Sequence, residues 1–417
     1  LEVFGWLGMD FDEGPLHIGG EYGPYVQSER LDIYRRYIGQ LIDSGDAYYC
    51  TCNPERLEKI RAEQKARGET PMYDRRCLKE AAAPAEGEPY VVRLKIPDEG
   101  EIAFEDGVRG RVAFAVSEID DQVLLKSDGY PTYHLANVVD DHLMGISEVI
   151  RGEEWLTSTP KHIHLYRALG WDPPRFYHLP LLLNPDRSKL SKRQGDVAVE
   201  DYRAKGYLPE ALLNYTALLG WHPAEDREFL TRQELQREFS LDRITKSGAV
   251  FDIDKLNFLN RRHIAEMSDE RFIEYCRRFN PGRLDFCANL KGDIIRILKE
   301  GLDNFSQLPD KLEHFQGKRS LPSSGEAADM IRSDDSRRLF QAFLEETGKD
   351  EYADWNAAAF KTSLKTSGKA VGVKGKGLFM PMRIALTGQE HGPDLGAIAE
   401  ALGREQVRKL IAEALEL

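Results

Sequence analysis

"SEVIRGEEWLTSTPKHIHLYRALGWDPPRFYHLPLLL" (147–183) reads as strand, helix, strand. "SEVIRG" (147–152) is the first strand. A helix spans 158–169, with Ser158 or Thr159 as cap and Pro160 just inside it. A proline costs least there, because the first helical N–H groups have no partner in the helix. "FYHLPLLL" (176–183) is the second strand. Two parallel strands need a crossover, so this order implies a βαβ unit and an α/β core.

The pattern changes on either side. Upstream, 132–144 is helical, and Ser127-Asp128-Gly129 marks a turn. "YVVRLKI" (90–96), "GRVAF" (110–114) and "VLLK" (123–126) are strands, and 82–88 is a loop. An amphipathic helix covers 28–44, with Ser28 as cap, Gly45 as stop and an apolar stripe of Leu31, Tyr34, Ile38, Leu41 and Ile42. Another covers 54–68 behind Asn53 and Pro54. Downstream of 200 the pattern is almost entirely helical: 208–219, 232–238, 269–278, 291–303, 336–347, 353–366, 394–402 and 404–416. Linkers fall near 222–228 and 317–327, and there is no internal repeat.

Composition excludes some classes. The 417 residues are 41% hydrophobic and 30% charged, which suits a globular chain of two to four domains. No run approaches the roughly 20 apolar residues that span a bilayer. The net charge of −13 argues against indiscriminate polyanion binding, though not against a local basic face. Five cysteines fit reduced thiols in the cytoplasm better than a disulfide framework. Leu1 opens in mid-helix, with Val3, Trp6 and Leu7 on one face and no initiator Met or signal pattern, so the sequence reads as cut at its start.

Chemistry concentrates after the second strand. "NPDRSKLSKRQGD" (184–196) is polar and rich in turn formers. It lies past the carboxyl end of a parallel strand, where doubly wound sheets bind ligands. Lys189 and Lys192, with Ser191 and Arg193 beside them, offer ammonium groups and a guanidinium fork to one polyanion. Phosphoryl transition states gather negative charge that such cations stabilise.

Lys189–Arg193 resembles the KMSKS loop of class I aminoacyl-tRNA synthetases. "GYPTYHLANVVDDHLMGISEVIRGEEW" (129–155), "STPKHIHLYRALGW" (158–171) and "FYHLPLLLNPDRSKLSKR" (176–193) resemble the bacterial-type glutamyl-tRNA synthetase family. "YGPYVQSERLDIYRRYIGQLIDSGDAYYC" (22–50), "RAEQKARGETPMYDRRC" (61–77), "LPEALLNYTALLGW" (208–221), "FDIDKLNFLN" (251–260) and "KGKGLFMPMRIALTG" (374–388) extend the resemblance, in the family's order, over essentially the whole chain. The resemblance implies an ATP-dependent ligase that makes glutamyl-adenylate and transfers glutamate to tRNA-Glu, with Mg²⁺ alongside ATP and tRNA-Gln left open as a second acceptor. It implies a cytoplasmic monomer with no membrane partner. Lys192 matches the KMSKS lysine that contacts ATP, with Lys189 its partner and Ser191 and Arg193 completing the ATP-binding stretch. Tyr133 and Asn137 match residues of the amino-acid pocket, and their i, i+4 spacing puts both on one helix face. Arg151 matches the arginine that pairs with the substrate's side-chain carboxylate, a task suited to a planar fork. Glu154 is placed behind these residues.

The implied architecture is an α/β Rossmann-type class I synthetase core, incomplete at its N-terminus, with an α+β insertion and an all-α C-terminal half. Residues 1–47 with 140–193 form the core; its first strand and HIGH segment are expected upstream of Leu1. Residues 48–139 form the connective insertion that holds the acceptor end, 194–265 a stem-contact domain, and 266–417 a helical anticodon-binding region. His17-Ile18-Gly19-Gly20 nearly spells the family's HIGH signature, yet no apolar strand precedes it and Gly23-Pro24 blocks a helix after it. It is taken as a chance match. With half of the phosphate cradle missing, this polypeptide is expected to activate glutamate poorly. A non-catalytic tRNA-binding fragment and a glutaminyl-tRNA synthetase are the rivals; the β-barrel anticodon domains of the latter disagree with the helical pattern after 265.

Weaker signals remain. Cys50, Cys52 and Cys77 resemble a zinc knuckle of some family members, but the expected fourth position is Lys79, a poor ligand, so zinc is not expected and no metal residue is assigned. His162 and His164 diverge on a helix, which argues against shared metal ligation. Lys361, Lys365, Lys369, Lys374 and Lys376 form a basic run that is either solvated or turned toward tRNA phosphate, and Arg261 and Arg262 raise the same question.

Overall fold

The computed structural model describes residues 1–15, 18–81, 83–190, 198–283, 287, 290, 292–313 and 315–417. The chain divides into two compact units. One comprises Leu1–Ser191, Thr216–Arg227 and Gln233–Phe251; the other comprises Lys192–Tyr215, Glu228–Arg232 and Asp252–Leu417.

The first unit begins with α1 (Glu2–Trp6) and a loop in which Gly14 and Gly19 exchange two backbone hydrogen bonds of 3.0 Å. A 3₁₀ turn at Gln27–Glu29 leads into α2 (Leu31–Asp43). The helix therefore starts after the expected cap Ser28, with Arg30 at the N-cap position. Arg30 is 2% exposed and donates to Asp140 Oδ1 at 2.7 Å and to the Pro24 carbonyl at 2.8 Å. That pinned side chain, rather than a serine hydroxyl, fixes the entry to the helix. Tyr34, Ile38 and Leu41 of the expected stripe are buried, and Leu31 and Ile42 pack at its edges. Each fully buried side chain of this kind stabilises the fold by about 1.5–3 kcal/mol relative to exposure.

The remaining elements are β1 (Ala47–Cys50), α3 (Pro54–Ala66), α4 (Arg76–Glu80), β2 (Val91–Leu94), β3 (Glu101–Asp106), β4 (Gly110–Ala115), β5 (Val123–Leu125), α5 (Tyr133–Leu143), β6 (Glu148–Gly152), α6 (Thr159–Ala168), β7 (Arg175–Leu179), β8 (Leu182–Leu183) and β9 (Ala249–Val250). Asn53 caps α3 by accepting from the Arg56 amide at 3.0 Å.

Three sheets result. β1-β2-β5 is antiparallel, β4-β3-β7-β6 is mixed, and β8 pairs in parallel with β9. The βαβ unit is present: β6 and β7 are parallel from Glu148↔Arg175 to Gly152↔Leu179, with α6 as the crossover. The continuous strand expected at 176–183 is interrupted. Pro180 cannot donate to the ladder, so β7 ends at Leu179 and β8 starts at Leu182 in another sheet. The β3–β4 hairpin, from the stretch expected to belong to the insertion, joins the core sheet through a parallel bridge of Asp106 to Phe176. A core containing Tyr34, Leu94, Phe104, Leu135, Val139, Ile163 and Phe176 holds these layers together.

The second unit is helical throughout its long C-terminal stretch. Ile253–Glu266, Asp269–Phe279 and Gly292–Gly301 surround one core that includes Phe272, Leu298 and Phe305. Asp334–Glu346, Ala357–Val371, Lys376–Thr387, Leu395–Leu402 and Arg404–Leu415 surround another that includes Phe340, Phe343, Phe360 and Ile411. Among the described residues, no helix is long and apolar enough to cross a membrane.

Candidate active site

α5, β6, α6 and β7 bring four separate stretches to one place. Arg151, on β6, is the centre. Its Nε donates to His178 Nε2 at 3.1 Å, and its Nη2 donates to Thr159 Oγ1 at 2.8 Å and to His162 Nδ1 at 3.3 Å. His162 Nε2 in turn lies 2.9 Å from His134 Nδ1. The guanidinium lies 5.8 Å from the Trp155 ring centre and 5.3 Å from that of Phe176. The partners of Arg151 are therefore neutral acceptors and ring faces. Among the described residues no carboxylate reaches salt-bridge distance of it, and its Nη1, shut off from solvent, has no hydrogen-bond partner.

The electrostatics agree with that arrangement. Burial, with Arg151 and His134 close by, holds His162 well below the ordinary histidine range. Burial, followed by the charges of Lys161 and Arg151, lowers His134 to about 4. Burial also lowers Arg151 itself. Burial, then the neighbouring Asp140, raises Asp141 to about 6. His134 and His162 are neutral at physiological pH, so they do not offset the charge of Arg151, which the Asp141 carboxylate compensates only in part.

Tyr133 and Asn137 lie on α5, and Tyr133 is close enough to Arg151 to act on its charge. Tyr133 packs on Trp155 with ring centres 4.5 Å apart. Asn137 Oδ1 and the Tyr166 hydroxyl are buried polar atoms with no hydrogen-bond partner among the described residues, as is Arg151 Nη1. Buried orphans usually mark a missing ligand, water or ion. Glu154 is exposed, and its carboxylate lies against Gly152, where a Cβ would come within 2.1 Å of its Oε2.

β8 leads into a tight reversal. The Asn184 amide donates to the Ser188 carbonyl at 2.8 Å and the Leu190 amide to the Leu182 carbonyl at 2.9 Å, with Arg187 in left-handed backbone at φ 65°. This hairpin presents Lys189, which is exposed. Ser191, Lys192 and Arg193 lie outside the described residues, as does His17. Residues 18–26 form no helix, so their backbone donors are not gathered at a helix N-terminus.

Comparison with known proteins settles the family. The sequence profile described as "tRNA synthetases class I (E and Q), catalytic domain" matches residues 1–258, and "Anticodon binding domain" matches 263–415. The chain belongs to the class I tRNA synthetases (E and Q). Curated relatives of this synthetase include proteins named glutamate–tRNA ligase from Alkaliphilus metalliredigens and Clostridioides difficile. They are 45% and 44% identical, each over 99% of this chain and 87% of the relative. A crystal structure of a glutamate tRNA ligase from Elizabethkingia meningosepticum, in complex with its amino acid, is 35% identical. It superposes with a TM-score of 0.87 over 100% of this chain and 88% of its own. The synthetase thus has the class I catalytic fold with a helical C-terminal half.

The thiols form a second cluster in the synthetase. The sulfurs of Cys50, Cys52 and Cys77 lie within 4.8 Å of one another, and Cys52 and Cys77 are 3.5 Å apart. Lys79, where the sequence spacing sought a fourth ligand, instead reaches the Asp74 carbonyl at 3.5 Å. The oxygen beside the sulfurs is the Tyr73 hydroxyl, 3.4 Å from both Cys50 and Cys52 and 3.0 Å from the Cys77 amide. Tyrosine is not among the usual zinc ligand types, so the sequence spacing alone does not single it out. Arg56 donates to Cys52 Sγ at 3.4 Å, and the Arg93 guanidinium lies 4.1 Å from the Tyr73 ring centre. Burial raises Cys52 to about 11, whereas for Cys77 the opposing hydrogen bonds from Tyr73, the Thr51 backbone and Cys52 outweigh burial and lower the thiol.

Other candidates have structural partners. His162 faces Arg151, while His164 points away to the Lys95 carbonyl at 2.9 Å. Arg261 pairs with Asp303 at 2.8 Å, and Arg262 lies 5.2 Å from the Phe229 ring centre. Lys361, Lys365 and Lys369 repeat every four residues along Ala357–Val371 and are exposed, as are Lys374 and Lys376; Lys361 also pairs with Asp394 at 3.2 Å.

Proposed function

We infer that this synthetase ligates L-glutamate to the 3′ end of tRNA-Glu, after activating it with ATP as glutamyl-adenylate. The observation that carries this reading is Arg151: a largely buried cation surrounded by neutral acceptors, with Nη1 unpaired and the buried Asn137 oxygen unpartnered on the neighbouring helix. A side-chain carboxylate supplies what the arginine lacks, and the substrate's ammonium group can supply a donor to the amide oxygen. Glutamine would leave the positive charge uncompensated, so the site discriminates by charge. The names of the relatives point to the same amino acid. Aminoacylation with glutamate and glutamine offered separately, on tRNA-Glu and tRNA-Gln, tests this. Glutamate on tRNA-Glu is the expected product, and charging with glutamine would overturn it.

In this reading Lys189, Ser191, Lys192 and Arg193 bind the ATP phosphates, with Mg²⁺ accompanying the nucleotide. Within residues 48–139, the β1-β2-β5 sheet and α3 would receive the acceptor end. Residues 194–265 would meet the stem and 266–417 the anticodon end. The exposed lysine row along Ala357–Val371 is suited to backbone phosphates and carries no base information. ATP and tRNA place the work in the cytoplasm.

Cys50, Cys52, Cys77 and Tyr73 fit one zinc ion. The three sulfurs, within 4.8 Å of one another, and the Tyr73 hydroxyl 3.4 Å from two of them would supply four donor atoms. Such an ion would tie β1 to α4. Elemental analysis of purified protein should return about one zinc per chain, and Cys77→Ser should lose it. Less than a tenth of an equivalent, with all thiols titrating as free, would rule it out.

A further inference from the structure

Asp106 and His178 are separated by 72 residues in sequence and both side chains are fully buried. Asp106 ends β3 and builds the β3–β4 turn. Its Oδ1 accepts from the amides of Val108 at 3.0 Å and Arg109 at 2.9 Å, and at 3.3 Å from that of His178. Its Oδ2 lies 2.6 Å from His178 Nδ1. Burial alone would raise this carboxyl, but the His178 ring and the three amides together bring it below the ordinary range. An ionised Asp106 can only accept. His178 Nδ1 therefore carries a proton and donates it to Asp106.

The other ring nitrogen faces Arg151. Arg151 Nε–H points at His178 Nε2 over 3.1 Å, and a guanidinium can only donate. Nε2 must then be unprotonated and accept. Thr159 Oγ1, 3.0 Å from the same nitrogen, donates to it or to the Trp155 carbonyl at 3.0 Å. One tautomer satisfies every contact: neutral His178, protonated at Nδ1. The same logic applies when a carboxylate fixes the tautomer of a catalytic or metal-binding histidine through its second nitrogen.

We propose that Asp106 and His178 are positioning residues for substrate selection: Asp106 fixes the His178 tautomer, and His178 Nε2 holds Arg151 Nε so that Nη1 faces the substrate carboxylate. This rests on the reading of Arg151 given above. It also explains why the β3–β4 hairpin pairs with β7, since the pairing of Asp106 with Phe176 brings the carboxylate to His178. Gly107 serves the same approach: a Cβ there would lie 2.0 Å from the Tyr177 ring.

Asp106→Asn isolates the electrostatic part. The amide oxygen can still accept from the backbone of the turn, but the amide nitrogen donates to His178 Nδ1. The proton moves to Nε2, which then faces Arg151 Nε–H donor to donor. Glutamate affinity, measured by equilibrium dialysis with ¹⁴C-glutamate, is expected to fall on the order of 10- to 100-fold, the range found when an outer partner of a liganding histidine is lost. The KM for ATP should stay within twofold. His178→Gln and His178→Met form a matched pair. Both lose the bond to Asp106, but only glutamine restores an acceptor near Nε2, so it should bind glutamate at least fivefold tighter than the methionine variant. Long-range ¹H–¹⁵N spectra of the unsubstituted chain test the tautomer directly and should show the His178 proton on Nδ1. A proton on Nε2, equal affinities in the Gln and Met variants, or wild-type affinity in Asp106→Asn would overturn the proposal. Arg151→Met separates the two levels. If it binds glutamate as the wild type does, the reading of Arg151 fails; if it loses glutamate while Asp106→Asn does not, only the positioning role fails.

Discussion

Arg151→Met is expected to weaken the use of glutamate by about 10²- to 10³-fold in kcat/KM for aminoacylation, while the protein melts within a few degrees of the wild type. The functional part follows from charge. Removing one partner of a desolvated, hydrogen-bonded charge pair costs about 2–5 kcal/mol, most of it from the other charge left buried and unpaired. Each 1.4 kcal/mol is a factor of ten. In the variant that stranded charge is the carboxylate of the substrate. The stability part follows from what Arg151 lacks. Burial already disfavours its charged form, and the Asp141 carboxylate offsets it only in part, with no ion pair at Arg151 among the described residues. Methionine removes an unpaired buried cation at the expense of hydrogen bonds to His178, Thr159 and His162, two opposing changes of similar size. Preference for glutamate over glutamine should collapse with the affinity, because the neutral pocket no longer reads charge. A variant that melts early and yet retains its preference for glutamate would show that Arg151 serves the fold and not the substrate.

The βαβ unit was legible because its elements are decided locally: Pro160 opens α6 in its first turn, although Ser158 makes no side-chain cap bond there, and short strands lie on either side. Local rules failed where distant partners decide. Nothing within 101–115 announces that β3 will pair with a strand beginning at Arg175. Asp106 and His178 lie 72 residues apart, and only the fold brings their side chains to 2.6 Å. Pro381 sits in the middle of Lys376–Thr387, where a proline removes one hydrogen bond, and the buried Met382, Ile384 and Leu386 hold the helix in place. Arg151, Tyr133 and Asn137 were found through resemblance, since in isolation they read as a surface arginine, a core tyrosine and a capping asparagine. What the structure adds is the unpaired Nη1 and Oδ1, a property of packing that no spacing of letters contains.

Lys192→Ala should leave glutamate affinity within twofold and slow glutamate-dependent ATP–pyrophosphate exchange by roughly 10²- to 10³-fold, the loss usual for one preorganised group that stabilises transition-state charge. The reversal at 184–190 is held by hydrogen bonds of Asn184, Ser188 and Leu190 and presents the exposed Lys189, three residues before Lys192 in sequence. Adenylate formation places five oxygens around the α-phosphorus and releases pyrophosphate, so negative charge grows as the reaction proceeds. An ammonium group that meets this charge only in the transition state changes kcat and leaves ground-state binding alone. Arginine at 192 should restore part of the rate, because its charge is kept while its shape differs. Equal losses in the KM for ATP and in kcat would mean that the lysine holds ground-state nucleotide instead. An unchanged rate would remove 189–193 from the chemistry and leave Arg151 and its neighbours as a binding site without an activating loop.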